Sequence, residues 1–494
     1  MQKLFAPVVL ALCALVSLAP KAPAAPPNIL FIAIDDLNDW IGCLGGHPQA
    51  LTPHMDQLAQ RGTLFSNAHC QAPLCNPSRS SLLTGRRPSS TGIYGLSPHF
   101  RTVPETKSLV TLPGTFTAAG WTTFTCGKIF HGFPPKANPQ AEFQTWATHK
   151  NTPAPAKPFA NLPGKPHPLM DWGPVDQPDE QISDYITASQ AIEAIQKAPK
   201  DQPFFVACGF HLPHVALHAP KAWFDKFPLE KVQLPPVLDT DRDDIPRFSW
   251  YLHWKLPEPR LSTLRERNEW LPLVRAYLAC TAFMDAQVGR LLDTLEQTGT
   301  AANTLVVLWS DHGWHLGEKL ITGKNTLWER STRVPLIFAG PGVTPGGRCT
   351  APAELLDIFP TLLEATGMPA RPDLEGHSLV PQLRDASAPR PWPAITTANQ
   401  NNHSIRTDRW RYIRYADGSE ELYDLQADPK EWHNLAALPA HAQTKAELAQ
   451  WLPKTNLASA DPAGQRVLLF DPATGALTWE GKSINPGDPV PDDH

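Results

Sequence analysis

The sequence predicts an α/β fold built on a large, mostly parallel sheet. Four apolar runs have the length and residue bias of buried strands, helical segments separate them, and each run ends in polar residues. The runs and the residues after them are 28–34 before Asp35 and Asp36, 122–126 before Lys128 and His131, 203–210 before His211 and His214, and 303–310 before Asp311 and His312. Ligands bind beyond the carboxyl ends of parallel strands, so we expect these clusters to converge on one site.

The helices are predicted from their boundaries and periodicity. Pro53 opens the first helix and Gly62 closes it, the arrangement that favours proline at the start and glycine after the end. Further helices are expected near 180–197, 275–297 and 353–366. Strands alternating with these helices predict parallel pairing in the sheet.

A change of character near residue 385 predicts a second, smaller domain. Short alternating segments around an Asp417-Gly418 turn predict antiparallel strands. A helix is expected near 440–452 and an extended tail at 485–494. The predicted division is a signal peptide at 1–24, a main domain at 25–385 and a C-terminal subdomain at 386–494.

The N-terminus has the pattern of a secretory signal peptide. Lys3 precedes an apolar stretch at 4–18, and small residues at 22–24 offer a cleavage site. We therefore expect a periplasmic or secreted protein without stable membrane insertion after cleavage. A lipid-modified Cys13 is disfavoured by the large Leu12 before it, and an uncleaved anchor by the shortness of the stretch.

The net charge and the cysteine content limit the possible binding partners and disulfide bonds. The net charge is -5 and the chain has no long basic run, so nucleic acid is not expected as a partner. The chain has eight cysteines. The six other than Cys13 and Cys75 could form disulfides or remain buried free thiols, and the sequence does not decide between these alternatives. Cys126 and Cys208 lie in apolar runs, which favours free thiols there. The oligomeric state is not predicted.

Three aspartates at strand ends point to a metal. Asp35, Asp36 and Asp311 supply the hard oxygen ligands that a calcium- or magnesium-type cation prefers. A single aspartate after a strand is commonly a cap or turn residue. Two adjacent aspartates at one strand end and Asp-His at another are better explained by metal binding.

Cys75 is predicted to lie at a helix N-terminus. Pro77 suits the first turn and Gly85 ends the segment. Exposed N–H groups at such a position favour negative charge, as a thiolate nucleophile requires. A tyrosine-phosphatase pattern fails because Asn76 stands where the arginine after His69-Cys70 is needed. An inert or disulfide-bonded cysteine is the alternative.

The segment CNPSRSSLLTGR, residues 75–86, closely resembles the signature of type I sulfatases, C-x-P-S-R-x-x-x-L-T-G-R. Asp35-Asp36, GKIFH, GFHLPH, SDHGWHLGE and ELYDLQADPKEWHNL extend the resemblance along nearly the whole chain, in the order of the iduronate-2-sulfatase branch. The resemblance implies an alkaline-phosphatase-like α/β/α sandwich with a mostly parallel mixed sheet. It also implies a smaller C-terminal α+β domain with a short antiparallel sheet.

The resemblance implies a catalytic role for each motif residue. A formylglycine-generating enzyme would convert Cys75 to formylglycine, whose hydrate attacks sulfur. One Ca²⁺ would be held by Asp35, Asp36, Cys75, Asp311 and His312. Arg79 would hold the hydrate, Lys128 and Lys324 would clamp the sulfate, His214 would protonate the leaving oxygen, and His131 would act as the base that regenerates the aldehyde. Imidazoles suit both proton transfers because they titrate near neutrality.

The substrate contacts follow less directly. His211, Trp314, His315 and Lys324 are expected to line a pocket for a sulfated carbohydrate, although Trp314 also suits a core position. In iduronate-2-sulfatase the loop after Lys-x-x-His carries acidic residues that help read the sugar. Here the loop at 132–146 offers only Glu142. The resemblance therefore supports sulfate cleavage more strongly than iduronate recognition.

Together with the N-terminal pattern, the resemblance implies an exported, calcium-dependent sulfatase that acts in exo fashion on sulfated sugars from polysaccharides. Relatives on the same scaffold cleave phosphodiesters or phosphonate monoesters, so that activity is one alternative. A non-catalytic protein that binds sulfated glycans is the other. It would be indicated by loss of the nucleophile or of a metal ligand, and both are retained.

Overall fold

The structure, a computed structural model, describes residues 26–132, 141–148 and 150–491. The predicted signal peptide with Cys13 lies outside the described residues, as does most of the loop after His131. No helix in the described ranges is long and apolar enough to cross a membrane.

The main sheet has eight strands in the described residues. Their order across the sheet is β13 (Gly347–Cys349), β2 (Thr63–Phe65), β12 (Leu336–Ala339), β9 (Thr304–Ser310), β1 (Asn28–Ile34), β7 (Phe204–Phe210), β4 (Thr122–Gly127) and β5 (Thr145–Trp146). Strand β12 is antiparallel to both its neighbours, and all the other pairs are parallel. The sheet is therefore mixed and mostly parallel, as predicted.

Strand β1 shows why this sheet is covered on both faces. Its seven residues are all buried. Leu30, Ile32 and Ile34 pack into one apolar core, and the alternate residues Ile29, Phe31 and Ala33 pack into the other. A strand that is buried on both faces needs apolar side chains at successive positions. This accounts for the nearly continuous apolar sequence NILFIAI.

The helices form the outer layers of an α/β/α sandwich. Helices α1, α5 and α9 pack on one face, and α2, α4, α11 and α12 on the other. The α-helices are α1 (Pro53–Arg61), α2 (Cys75–Thr84), α3 (Pro88–Thr91), α4 (Leu112–Ala118), α5 (Ser183–Lys197), α6 (Lys221–Phe224), α7 (Phe248–Tyr251), α8 (Leu261–Glu266), α9 (Trp270–Gln297), α10 (Glu329–Thr332), α11 (Ile358–Ala365), α12 (Val380–Arg384) and α13 (Ala442–Ala449).

The C-terminal part adds two antiparallel sheets. One contains β15 (Ala394–Thr397), β16 (His403–Arg406), β17 (Trp410–Arg414) and β18 (Glu420–Asp424), and the other β19 (Leu468–Asp471), β20 (Ala476–Trp479) and β21 (Lys482–Ile484). Two-stranded pairs are β3 (Ala68–His69) with β14 (Ala353–Glu354), β6 (Trp172–Val175) with β8 (Leu217–Pro220), and β10 (His315–Leu316) with β11 (Thr322–Gly323).

Buried polar contacts connect the first C-terminal sheet to the segment around α10. Arg411 on β17 is fully buried and forms ion pairs with Glu329 and Glu431. Trp328 donates from Nε1 to Glu421 on β18 over 2.7 Å. The aromatic and basic side chains of DRWRYIRY therefore serve packing between the two parts of the chain.

One expected helix boundary differs from the structure, and the two alternatives left open for the cysteines are resolved. The helix expected at 353–366 begins only at Ile358, because Ala353 and Glu354 pair with β3 and a 3₁₀ turn follows them. All cysteines of the described residues are free, with Cys126 and Cys208 buried on the neighbouring strands β4 and β7. The free-thiol alternative is thus confirmed for these two.

Candidate active site

The polar residues predicted at the strand ends lie together beyond the carboxyl edge of the main sheet. Asp35 and Asp36 follow β1, Asp311 and His312 follow β9, and Lys128 follows β4. The three aspartates and His312 are fully buried. Parallel pairing of β1 with β9 and β7 brings these positions to one edge.

Asp36 has a strained backbone that the surrounding residues hold in place. Its φ of 60° lies in the left-handed region, which residues other than glycine rarely adopt. Its N–H donates to Asp311 Oδ1 over 3.1 Å. Its carbonyl oxygen accepts a hydrogen bond of 2.8 Å from the hydroxyl of Tyr277 on α9. Such strain is typical of functional sites.

Cys75 is the first residue of α2, at the centre of the cluster. Its Sγ lies 3.3 Å from His312 Nε2, 3.1 Å from Lys324 Nζ and 4.0 Å from Asp36 Oδ1. Helix α2 ends at Gly85, whose φ of 72° provides the left-handed cap. The predicted position of Cys75 at a helix N-terminus is confirmed.

The surroundings of Cys75 favour negative charge on its side chain. Burial alone would raise the pKa of the thiol, but Lys128, Lys324 and His312 together hold that pKa well below its usual value. The N-terminus of α2 acts in the same direction. Any anionic oxygen that replaces the sulfur would experience the same field.

Arg79 lies one turn along α2 and braces the strand ends. Its Nε donates to Asp311 Oδ2 over 2.8 Å, and its Nη2 to Asp35 Oδ1 over 3.1 Å. Its Nη1 donates to the carbonyl oxygens of Lys128 and Ile129. The side chain has no exposed surface. Arg79 therefore positions the carboxylates beneath Cys75, a wider role than holding the hydrate.

Two lysines neutralise the paired aspartates. Lys324 Nζ lies 2.7 Å from Asp36 Oδ1, and Lys128 Nζ contacts Asp35. Burial would lower the pKa of Lys324, but Asp36 and Cys75 raise it well above its usual value. Both lysines line the cavity above Cys75, where they remain charged toward an anionic ligand.

Three histidines lie close to Cys75 and the aspartates; two of them line the cavity, whereas His211, which was also expected to line it, does not. His131 contacts the Cys75 side chain and lines the cavity with His214, whose Nε2 lies 3.9 Å from Asp36 Oδ2. The ring of His211 lies 4.7 Å from that of His214, and its Nδ1 lies 3.8 Å from Asp35 Oδ2. The backbone N–H groups of His211 and Leu212 both donate to Asp184 on α5, which fixes the start of this loop.

The donor set fits a hard divalent cation. Oxygen, nitrogen and sulfur atoms of Asp35, Asp36, Cys75 and His214 lie within 4.8 Å of one another, and so do those of Cys75, Asp311 and His312. Asp36 Oδ2 is buried without a hydrogen-bond partner among the described residues. A buried carboxylate oxygen in this state calls for a cation or a donor. The predicted ligands therefore converge, with His214 close enough to join them.

A cavity of about 680 Å³ opens above Cys75. Its floor contains Cys75, Lys128, His131, His214 and Lys324. The other polar lining residues, called the wall of the cavity below, are Lys165, His167, Lys255, Glu258, Gln465, Arg466 and Glu480. None of these was identified from the sequence. They lie in irregular segments and in the approach to β19, where no motif marks them.

The prediction that Trp314 and His315 line the substrate pocket does not match the structure. Trp314 is 3% exposed and belongs to the apolar core beside β1, with Lys324 Nζ 5.4 Å from its ring centre. His315 is fully buried, and its ring nitrogens lie within hydrogen-bond distance of Thr326 Oγ1 and the Glu318 carbonyl oxygen. Trp314 precedes β10 and His315 is its first residue, and neither side chain lines the cavity.

Glu142, the one acidic candidate in the loop after His131, also has a structural role. It is 1% exposed and forms an ion pair with Arg101. Arg86 and Arg87 are structural as well. Arg87 forms two hydrogen bonds of 2.7 Å to Glu354, and Arg86 lies near Asp373 and Glu375.

Comparison with known proteins agrees with this arrangement. The Sulfatase family model matches residues 27–368, and the C-terminal model of N-sulphoglucosamine sulphohydrolase matches 317–457. The chain is 39% identical over 450 residues to a sulfatase of Formosa agariphila, with 87% of each chain covered. It is 28% identical over 512 residues to iduronate 2-sulfatase of Homo sapiens, covering 83% of this chain and 90% of the relative.

A solved structure of a 2-O GAG sulfatase superposes with a TM-score of 0.68 at 25% identity, covering 86% of this chain and 91% of that chain. The predicted alkaline-phosphatase-like sandwich with a small antiparallel C-terminal sheet is confirmed. From the family match along most of its length, the chain belongs to the sulfatase family and is a sulfuric ester hydrolase.

Proposed function

We propose that the protein is an exported sulfatase that removes sulfate from a sulfated acidic sugar, in exo fashion, with formylglycine at position 75 and one bound Ca²⁺. The observation that carries this proposal is the meeting of Cys75 with Lys128, Lys324 and His214 on the floor of one cavity. The signal peptide at 1–24 and maturation by a formylglycine-generating enzyme remain predictions, as do the domain boundaries.

The site supplies positive charge where a sulfate group would bind. Lys128 and Lys324 flank Cys75 and line the cavity, so their ammonium groups would bind the non-bridging sulfate oxygens. Negative charge builds up on the departing ester oxygen as the S–O bond breaks, next to the oxygens that these lysines would hold. Fixed donors in a site closed to bulk water stabilise that charge more effectively than water does.

When modified, position 75 would supply a hydrated aldehyde whose hydroxyl is the nucleophile. Activation of a hydroxyl requires neighbouring cations or a base. The same lysines that lower the pKa of the Cys75 thiol would act on an oxygen at this position. His131, which contacts Cys75, is placed to accept a proton there.

His214 is the best-placed acid for the leaving group. It lies beside Asp36 and faces the cavity, whereas His211 is its outer neighbour. A sugar alkoxide is a poor leaving group, so protonation during bond cleavage contributes strongly to the rate. Asp184 positions the loop that carries both histidines.

Bound Ca²⁺ would supply Lewis-acid polarisation and charge neutralisation among the carboxylates. Asp35, Asp36, Asp311 and His312 would hold it together with residue 75, and the unpartnered Asp36 Oδ2 supports this assignment. Arg79 keeps Asp35 and Asp311 oriented toward the site.

The cavity supports a small sugar ligand. A volume of about 680 Å³ is in the range of pockets that enclose one small molecule. The additional basic residues Lys165, Lys255 and Arg466 on its wall favour a substrate that carries negative charge beyond the scissile sulfate. A cavity of this volume accommodates about one sugar unit with its substituents, as action at a chain end requires.

The direct test is desulfation of defined sulfated oligosaccharides by the matured enzyme. We expect release of sulfate from the terminal unit of acidic oligosaccharides, measured by ion chromatography and product mass. Early loss of sulfate at internal units of long chains would rule out exo action. Turnover of steroid sulfate with none on any glycan would rule out the sugar substrate.

The cation-rich floor of the cavity also suits a phosphoryl group, so hydrolysis of phosphodiesters or phosphonate monoesters is the second candidate. Sulfate and phosphate esters are similar in shape, and the lysines contact either. Parallel measurement of kcat/KM on 4-nitrophenyl sulfate and on a 4-nitrophenyl phosphonate ester separates them. The proposed function requires the sulfate ester to be preferred.

A further inference from the structure

The wall of the cavity contains a basic residue that the sulfate clamp does not use. Arg466 precedes β19, in the C-terminal three-stranded sheet, and lines the cavity with Lys324. Its Nη1 donates to the side chain of Asn325, the residue that directly follows Lys324, so the two cations lie near each other. Two neighbouring cations are favourable only when acidic groups balance them.

Arg466 is held in one orientation by its neighbours. Its Nη1 donates to Asn325 Oδ1 and its Nη2 to Glu258 Oε1, each over 2.8 Å. Its backbone has a φ of 63°, in the left-handed region, and its N–H donates to Glu480 Oε1 over 2.8 Å. A strained backbone that several contacts stabilise is typical of a binding site.

The acidic partner of Arg466 has its own prepared position. Glu258 is 4% exposed, and its side-chain stem occupies the space beside Gly323, where a Cβ would lie 2.7 Å from Glu258 Cγ. Gly323 has a φ of 91° and directly precedes Lys324. The ion pair of Glu258 with Arg466 therefore packs against Gly323, which is adjacent to Lys324, one of the two lysines proposed to bind the sulfate.

The guanidinium keeps donors for a ligand. An arginine side chain has five N–H donors in a planar fork, and Asn325 and Glu258 each accept one from Arg466. About three donors are left, on a side chain that faces the cavity and is 11% exposed. Lys165 and Lys255 line the same wall, so its three cations outnumber the carboxylates of Glu258 and Glu480.

From this geometry we propose that Arg466 is a specificity-determining residue that binds a second anionic group of the substrate, a carboxylate or a second sulfate, beside the sulfate that is cleaved. Arginine suits this role because its fork matches two oxygens of one oxyanion. The inference rests on the proposed function and adds to it the residue that selects an acidic sugar.

The test compares three sulfated sugars on matured enzyme: a hexuronic acid 2-sulfate, a neutral hexose 2-sulfate and a neutral hexose 2,6-disulfate. For each, kcat/KM is measured with wild type, Arg466→Met and Arg466→Lys. We expect Arg466→Met to lower the preference for an acid-bearing sugar over the hexose 2-sulfate by about tenfold or more. Arg466→Lys keeps the charge without the fork, so an intermediate loss is expected.

The matched control is Arg371→Met. Arg371 also forms an ion pair, with Asp373, but it borders a separate groove and not this cavity. It should leave the preference as in wild type. Thermal unfolding of each variant shows which are folded, and if Arg466→Met is not, Arg466→Lys carries the test.

Calorimetric binding of the hexuronic acid 2-sulfate to Cys75→Ala, with and without Arg466→Met, gives a readout free of turnover. If Arg466→Met loses the preference for the hexuronic acid 2-sulfate over the hexose 2-sulfate, Arg466 binds a carboxylate. If it loses the preference for the 2,6-disulfate, Arg466 binds a second sulfate. An unchanged preference in Arg466→Met, with sugars desulfated normally by wild type, overturns the inference and leaves the proposed function standing. If wild type desulfates no sugar, the proposed function fails, and the inference fails with it.

Discussion

The hydroxyl of Tyr277 donates a hydrogen bond of 2.8 Å to the carbonyl oxygen of Asp36, so the longest helix of the described residues controls a candidate metal ligand. The same hydroxyl accepts the N–H of Asn38 over 2.9 Å. These two bonds bracket the turn in which Asp36 has its positive φ. Tyr277 is fully buried and does not line the cavity, so it acts through the backbone of Asp36.

We therefore expect Tyr277→Phe to weaken calcium binding. Residues that orient metal ligands typically change metal affinity by about 10–100-fold when they are replaced. The measurement is calcium affinity by titration of metal-free protein. Tyr412→Phe is the control, because it also removes a buried hydroxyl, whose partner Glu420 lies in the C-terminal sheet. Equal calcium affinity in both variants would contradict the role given to Tyr277.

Position 75 should carry an aldehyde in protein produced with a formylglycine-generating enzyme. The expectation rests on the complete motif from Cys75 to Arg86. Peptide mass spectrometry of the active protein is the measurement, and unmodified cysteine in fully active enzyme would contradict it. Cys75→Ala should lose sulfatase activity while its unfolding temperature stays close to that of wild type, since the change removes a nucleophile and little packing.

Asp311→Asn should reduce calcium content and turnover together. Asp311 accepts from Arg79 and from the N–H of Asp36, so its carboxylate links the two strand ends that carry the candidate ligands. Loss of one charged oxygen ligand weakens binding of a hard cation. Metal analysis and kcat give the two readouts, and full activity in chelated protein would exclude a catalytic cation.

The control for this variant is Asp285→Asn. Asp285 is also a buried aspartate, but it accepts the N–H groups of His54 and Met55 at the start of α1, away from the strand ends. It should change stability without changing calcium content. A loss of calcium of similar size in both variants would point to general unfolding.

Much of this site could be predicted from the sequence because several of its polar residues directly follow apolar strands. Asp35, Asp311 and Lys128 each directly follow an apolar strand, and parallel pairing brings such positions together. Cys75 was predictable from proline and glycine around a short helix. Each of these patterns lies within a short stretch of the chain, so it can be recognised in a single sequence.

The wall of the cavity was not predictable in this way. Arg466 and Glu258 are separated by 208 positions, and only the tertiary fold brings their side chains together. From the sequence, Trp314 suited either a pocket wall or a core position, and in the structure its ring lies in the core just before the two-residue strand β10. Side-chain direction at such short strands depends on tertiary packing that no local pattern reports.

As pH falls, the protein should begin to lose stability at a higher pH than the titration of its carboxylates alone would predict. Burial lowers the pKa of His403 to about 4, so the folded state keeps this ring neutral while the unfolded state protonates near 6.5. The stability this contributes is present above pH 6.5 and is lost as pH falls toward 4, at up to about 1.4 kcal/mol per unit. His403→Gln should show a shallower fall in urea unfolding free energy over this range. Parallel pH profiles for the two proteins would contradict the assignment.

His214→Ala should affect sugar sulfates far more than aryl sulfates. His214 is proposed to protonate the leaving oxygen, and general acid catalysis contributes about 10²–10⁴-fold when the leaving group is poor. Nitrophenolate leaves without that proton, so kcat on 4-nitrophenyl sulfate should fall much less than kcat on a sugar sulfate. His211→Ala, which removes the neighbouring ring 4.7 Å away, is the comparison and should affect both substrates to a similar degree. Equal losses on both substrates in His214→Ala would instead assign His214 to the metal site, for which its position within 4.8 Å of Asp35, Asp36 and Cys75 already provides the geometry.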